Sequence, residues 1–235
     1  MSTETLKIVT VVAGLSRPSS TRLLGDRLTE AVTRELAAGD HKTEVTVVEL
    51  RELAVDLANT LITGFPSPAL AEALDAVTEA DGLIVVTPVF AASYSGLFKS
   101  FFDVVDPDAL TGKAVLLGAT GGTARHSLVV EHALRPLFSY LHALTAPTGV
   151  FAATDDWATG ELSVRIGRAG GEFARLLSGA ARPAAEKAAA AAAAAGNAGE
   201  LDEVVPFEQL LANGWSTGLD SVGDTGEVRA PHPEP

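Results

Sequence analysis

Cysteine is absent from the 235 residues, which excludes disulfides, thiolate metal sites and a cysteine nucleophile. No apolar run approaches the roughly 20 residues needed to span a bilayer. Met1 to Lys7 also lacks the features of a secretion signal, so the chain is expected to be cytoplasmic, with no membrane partner. Basic charge is scarce: 17 Lys and Arg stand against 30 Asp and Glu, a formal net charge of −13. That balance argues against nucleic acid as a partner, because phosphate contacts supply most of such affinity. The five histidines are scattered, without H-x-x-x-H spacing or paired carboxylates, and no metal site is expected. A nucleophile with its base is also missing. Glu131 adjoins His132, but neighbours on a helix point in different directions, so His126 and His132 read as structural or solvated. Asp155-Asp156-Trp157 reads as a solvated turn, and no catalytic residue is nominated.

What is present suffices for one substantial core and a tail, since 47% of the residues are hydrophobic. Apolar, β-branched stretches at Leu6–Ala13, Glu44–Leu50, Leu83–Val86, Lys113–Gly118 and Thr148–Phe151 predict strands. The third is short and wholly apolar, as a strand buried on both faces would be. Helical spacing appears in Leu24, Leu28, Val32 and Leu36, and again in Leu70, Leu74 and Val77. Further helices are expected over Gly96–Val105, Ser127–Leu144 and Leu162–Leu177. Phe98, Phe101 and Phe102 suit core or interface packing. Arg51–Phe65 reads as irregular and Thr87–Ser95 as a loop. Five strands alternating with five helices predict an α/β fold: a flavodoxin-like five-stranded parallel sheet, order 2-1-3-4-5, with helices on both faces.

In such sheets ligands sit beyond the carboxyl ends of the strands, so the loops after strands one, three and four become neighbours. The first loop, Gly14 to Arg22, gathers the hydroxyls of Ser16, Ser20 and Thr21, the guanidinium groups of Arg17 and Arg22, and the free N–H groups of a helix start reaching Leu23. These suit a phosphate. With one glycine the loop matches neither G-x-G-x-x-G nor G-x-x-x-x-G-K-[ST], and a Ser/Thr-rich helix cap with solvated arginines would read alike. The third loop offers Pro88, Val89, Phe90 and Ser93 to the edge of a heteroaromatic ring. Thr120, Gly121 and Gly122 let backbone approach a ring face. A ligand with a phosphate end and a flat end is most economically FMN. Hydride transfer between nicotinamide and flavin needs position and polarity from the protein rather than a nucleophile.

Several stretches now carry a resemblance: Ala80-Asp81-Gly82-Leu83-Ile84-Val85; Thr87-Pro88-Val89-Phe90 with Tyr94-Ser95-Gly96 and Lys99; Ala119-Thr120-Gly121-Gly122-Thr123; Ala133-Leu134-Arg135-Pro136; and Gly149-Val150-Phe151. From Lys7 to Leu177 the chain resembles the NAD(P)H-dependent FMN reductases of the flavodoxin-like fold. It is most similar to those supplying reduced flavin to two-component monooxygenases of the alkanesulfonate or luciferase-like type. In the family's phosphate pattern, Gly-Ser-x-Arg-x-x-Ser-x-Asn, Gly14, Arg17 and Ser20 fit, while Leu15 and Arg22 depart from it. The resemblance implies FMN and NADPH or NADH as ligands. It places the isoalloxazine ring between Pro88, Val89 and Phe90 and Thr120, Gly121 and Gly122. It also implies a homodimer or homotetramer and a flavin-dependent monooxygenase as partner. His132 stands where some relatives carry a Tyr on an interface helix. An FMN-retaining quinone or azo reductase and a non-enzymatic electron carrier are the alternative readings.

The composition divides the chain into a reductase domain over 1–180, an Ala-rich linker over 181–200 and a tail over 201–235. The tail carries the apolar island Val204 to Leu211, which reads either as a docking segment or as part of a disordered end.

Overall fold

The computed structural model describes residues 5–179. The expected linker and tail lie outside the described residues. Five parallel strands form the frame: β1 (Thr5–Val12), β2 (Lys42–Glu49), β3 (Gly82–Phe90), β5 (Ala114–Gly121) and β7 (Val150–Ala153). They lie in the order β2-β1-β3-β5-β7, which is the flavodoxin-like order with two short strands added. One addition, β4 (Ser93–Tyr94), folds back antiparallel on the end of β3. The other, β6 (Leu144–Thr145), pairs with the start of β5 on the side where β7 pairs with its end.

Alternation along the buried strands separates two cores. Leu83 and Val85 of β3 face one side, and Ile84 and Val86 face the other. Over the first side lie α2 (Ala54–Thr63), α3 (Pro68–Glu79), α4 (Gly96–Val104) and α5 (Arg135–Tyr140). Here Phe98, Phe101, Phe102 and Phe138 pack edge to face, the Phe102 and Phe138 rings 4.9 Å apart. The α4 phenylalanines are therefore core. Over the second side α1 (Ser20–Ala38) and α6 (Glu161–Gly179) bury Leu24, Leu28, Val32, Ile166 and Phe173. Each such side chain contributes about 1.5–3 kcal/mol of burial.

Three segments depart from the sequence reading. Arg51–Phe65 is helical: a 3-10 turn, Leu50–Leu53, leads into α2. Thr87–Ser95 is a hairpin, with Ala91 and Ala92 both at positive φ (47° and 65°). The helix expected over Ser127–Leu144 is a π-helical turn, Val130–Leu134, that runs into α5 and stops at Tyr140.

The sheet edge beyond β5 is interrupted at Ala146-Pro147-Thr148-Gly149. Arg135 Nη1 donates to Thr145 Oγ1 (2.8 Å) and Ala146 O, and its Nη2 donates to Pro147 O. The Thr148 N–H donates to Glu172 Oε2 at 3.0 Å. Side chains from two helices thus occupy the backbone groups that strand pairing leaves free.

Candidate flavin site

The first loop is shaped by Ser19, whose hydroxyl caps α1 by accepting from the Arg22 N–H at 3.2 Å. Gly14 folds against it so closely that a Cβ there would stand 2.1 Å from Ser19 Oγ. The first-turn N–H groups of Ser20 and Thr21 have no intrahelical acceptor, and the helix dipole favours an anion there. Ser16, Arg17, Ser20 and Leu23 are exposed around this point. Thr21 is buried and turns inward.

Carboxylates claim the arginines. Arg17 Nη2 pairs with Glu52 at 2.8 Å, and Arg22 Nε with Asp26 at 2.7 Å. Arg22 Nη1 also bonds Glu49 Oε1. Hydrogen bonding to Asp26, reinforced by the charge of Glu49, raises the Arg22 pKa against the cost of partial burial. Arg51 completes the cluster. Its Nη2 donates to Glu49 Oε2 at 2.9 Å and its Nη1 to Ser16 O at 3.2 Å, while its buried Nε has no partner among the described residues. Glu49 and Arg51 escape a sequence reading that looks only at the loop. The available signal was the position of Glu49 at the end of β2, in register with Val12 beside the loop.

The β5 loop meets the first, and the β3–β4 hairpin lies beside the β5 loop, with Pro88 in register with Thr120. Thr21 Oγ1 and Thr120 Oγ1 share a buried 2.8 Å hydrogen bond across 99 residues of sequence. Thr87 Oγ1 donates to Pro88 O and accepts the Ser95 N–H, both at 3.0 Å, and Ser95 caps α4. This pins the β3–β4 hairpin, with Pro88, Val89 and Ser93 half-buried and Phe90 exposed at its rim. Gly121 has its back to Phe151, where a Cβ would come within 2.9 Å of the ring, whereas Gly122 faces open space. Thus Gly121 is required by packing behind the loop and Gly122 leaves the front clear.

Between the hairpin and the segment after Gly122 runs a cleft of about 330 Å³, lined by Ala92, Ser93, Arg125, His126, Leu128 and His132 among others. Both histidines are exposed. Arg17, Arg22, Arg51 and Arg165 each pair with a carboxylate, but the Arg125 side chain, in this cleft, makes no ion pair or hydrogen bond among the described residues. Asp156 is a structural turn residue. Burial pushes its pKa up, but the Ala153 N–H and the Arg165 guanidinium outweigh this and hold it low. Among the described residues no cluster of His, Asp and Glu could hold a metal ion, and no helix is long and apolar enough to cross a membrane.

The donors present suit FMN. Hydroxyls, first-turn amides and three guanidinium groups, one with an unpartnered buried Nε, surround the first loop. The hairpin and Gly122 flank an unfilled space. Comparison with known proteins agrees. Residues 6–158 match the family model for NADPH-dependent FMN reductase. Over 153 residues the chain is 45% identical to the NADH-dependent FMN reductase SfnE of Pseudomonas putida, covering 65% of this chain and 80% of that protein. It is 41% identical over 155 residues to an FMN reductase (NADPH) of Pseudomonas aeruginosa, covering 66% and 81%. An oxidoreductase from Corynebacterium diphtheriae superposes with a TM-score of 0.72 at 48% identity, covering 74% of this chain and 97% of that one. The fold, the three converging loops and these matches place the chain in the NADPH-dependent FMN reductase family.

Proposed function

We propose that this chain is a cytoplasmic NAD(P)H:FMN oxidoreductase that releases its reduced flavin to a separate flavin-dependent monooxygenase. The observation that carries the reading is the Thr21–Thr120 hydroxyl bond, which brings the first loop and the β5 loop to one crevice. The flavin phosphate lies against Ser16, Arg17, Ser20, Arg22 and the first-turn amides of α1. The ring lies between Pro88, Val89, Phe90 and Ser93 on one side and Gly121 and Gly122 on the other. The side-chain hydroxyls of Thr21 and Thr120, both buried, position these groups rather than touch the ligand. Bound FMN supplies a ring that accepts a hydride equivalent from reduced nicotinamide. The protein's share is orientation: Gly122 keeps the ring face clear for the nicotinamide, and Arg125 offers an unneutralised cation to the phosphates of the dinucleotide. The assembly is a homodimer or homotetramer.

The test is NADPH and NADH oxidation by flavin-free protein, with and without added FMN. Oxidation that saturates with micromolar FMN supports the supplier role. No oxidation with either coenzyme overturns the reductase reading. Oxidation independent of added FMN, by protein that purifies yellow, overturns the supplier role.

A further inference from the structure

We propose that Glu49 sets how loosely the flavin phosphate is held, and so makes FMN a ligand that comes and goes. The inference rests on the reading of Gly14 to Arg22 as the phosphate loop. Around that loop stand three guanidinium groups, Arg17, Arg22 and Arg51, and three carboxylates, Asp26, Glu49 and Glu52. The cluster carries no net charge, so a phosphate dianion meets cations whose attraction is already spent. Glu49 matters most among the three. Among the described residues it alone hydrogen-bonds two of the guanidinium groups, one through each oxygen, whereas Glu52 bonds Arg17 and stands 3.9 Å from Arg51. Its side chain is 26% exposed, against 48% for Asp26 and 59% for Glu52. Solvent screens the outer two carboxylates more than the inner one. The arriving phosphate must therefore compete with Glu49 for Arg22, and through Arg51 Nη1 on Ser16 O the same carboxylate is linked to the loop backbone.

Glu49→Gln keeps the shape, removes the charge and exchanges one accepting oxygen for a donor, which releases one guanidinium for the phosphate. Expected is an FMN dissociation constant about tenfold lower, with slower FMN release in stopped flow, and an unchanged constant for riboflavin, which has no phosphate. The salt dependence of FMN binding should steepen, because the cluster gains a net positive charge. Asp26→Asn, at the more exposed partner of Arg22, should change FMN binding by less than threefold. Glu49→Ala removes the carboxylate without placing an amide there and serves if Glu49→Gln melts early.

Flavin-fluorescence titration reads the constants without turnover. If wild-type protein prefers FMN to riboflavin but neither Glu49 variant tightens FMN, the role given to Glu49 is overturned while the phosphate loop stands. If Glu49→Gln binds FMN more weakly, Glu49 serves to aim Arg22 and the proposal is likewise overturned. If wild-type protein binds FMN and riboflavin equally, or binds neither, the phosphate-loop reading falls and the proposal with it.

Discussion

Replacing Thr120 by valine tests whether the hydroxyl bond to Thr21 joins the two halves of the flavin crevice. Valine matches threonine in shape, so T120V removes an oxygen without opening a cavity. It leaves Thr21 Oγ1 buried without that partner, since the 2.8 Å contact to Thr120 is its only hydrogen bond among the described residues. An orphaned buried hydroxyl costs about 1–3 kcal/mol. T21V should cost the same by the mirror argument. In T21V/T120V both partners are gone and two methyl groups meet, which is nearly neutral. The double variant should thus be more stable than the sum of the singles by about 2–6 kcal/mol, the whole cost of the two orphaned hydroxyls. Urea unfolding followed by circular dichroism measures all four proteins, and each single variant should also melt about 2–12 °C lower. FMN affinity should fall in the singles and partly recover in the double, because the bond sets the spacing between the phosphate and ring loops. Additivity of the two singles within about 0.5 kcal/mol would refute the coupling.

Gly14→Ala would force Ser19 Oγ out of its cap, given the 2.1 Å approach. About 1 kcal/mol of stability should be lost, with FMN affinity reduced more than riboflavin affinity in the same titrations. Arg125→Ala should raise the KM for NADPH and NADH about tenfold, the worth of one charge-assisted phosphate bond, while FMN affinity stays within twofold. Glu172 is held below the ordinary carboxylate value first by Thr148 and then by Arg168. Its folded pKa is depressed, so its contribution is complete above about pH 4.3, the unfolded value, and fades as the pH falls through the folded one. E172Q should therefore cost about 1 kcal/mol near neutrality, and the gap to wild type should close on acidification in denaturation curves run from pH 7 to pH 3.

The main frame was legible because β-branched runs and four-residue apolar spacing follow directly from burial on a covered parallel sheet. What escaped has identifiable causes. Helix α2 shows apolar residues outward, with Val55 73% and Ile62 85% exposed, and buries only Leu57 and Thr60. It also starts without a side-chain cap, so neither periodicity nor a start signal pointed to it. The readable clue was Gly64, left-handed at φ 78° just past the helix end. The β3–β4 turn places alanines where a two-residue hairpin favours Asn-Gly. Strain of this kind is visible only in the backbone. At the site, residue types pointed to three loops, of which the Thr21–Thr120 bond joins two, but the charge balance was hidden. Arg22 finds Asp26 one turn along its own helix, whereas Glu49 reaches it from another strand. Nothing local announces that partner.

The interrupted edge of the sheet bears on how copies of this chain can associate. An open parallel sheet presents, at each end, a row of amides and carbonyls on which another chain can template. At one end Pro147 has no N–H to give, the Thr148 N–H is held by Glu172, and Arg135 covers the carbonyls of Ala146 and Pro147. At the other end β2 sets the charges of Lys42 and Glu44 on its exposed rim. These features work against strand addition at the 146–149 interruption and along β2, and so against growth into a continuous ribbon of sheets.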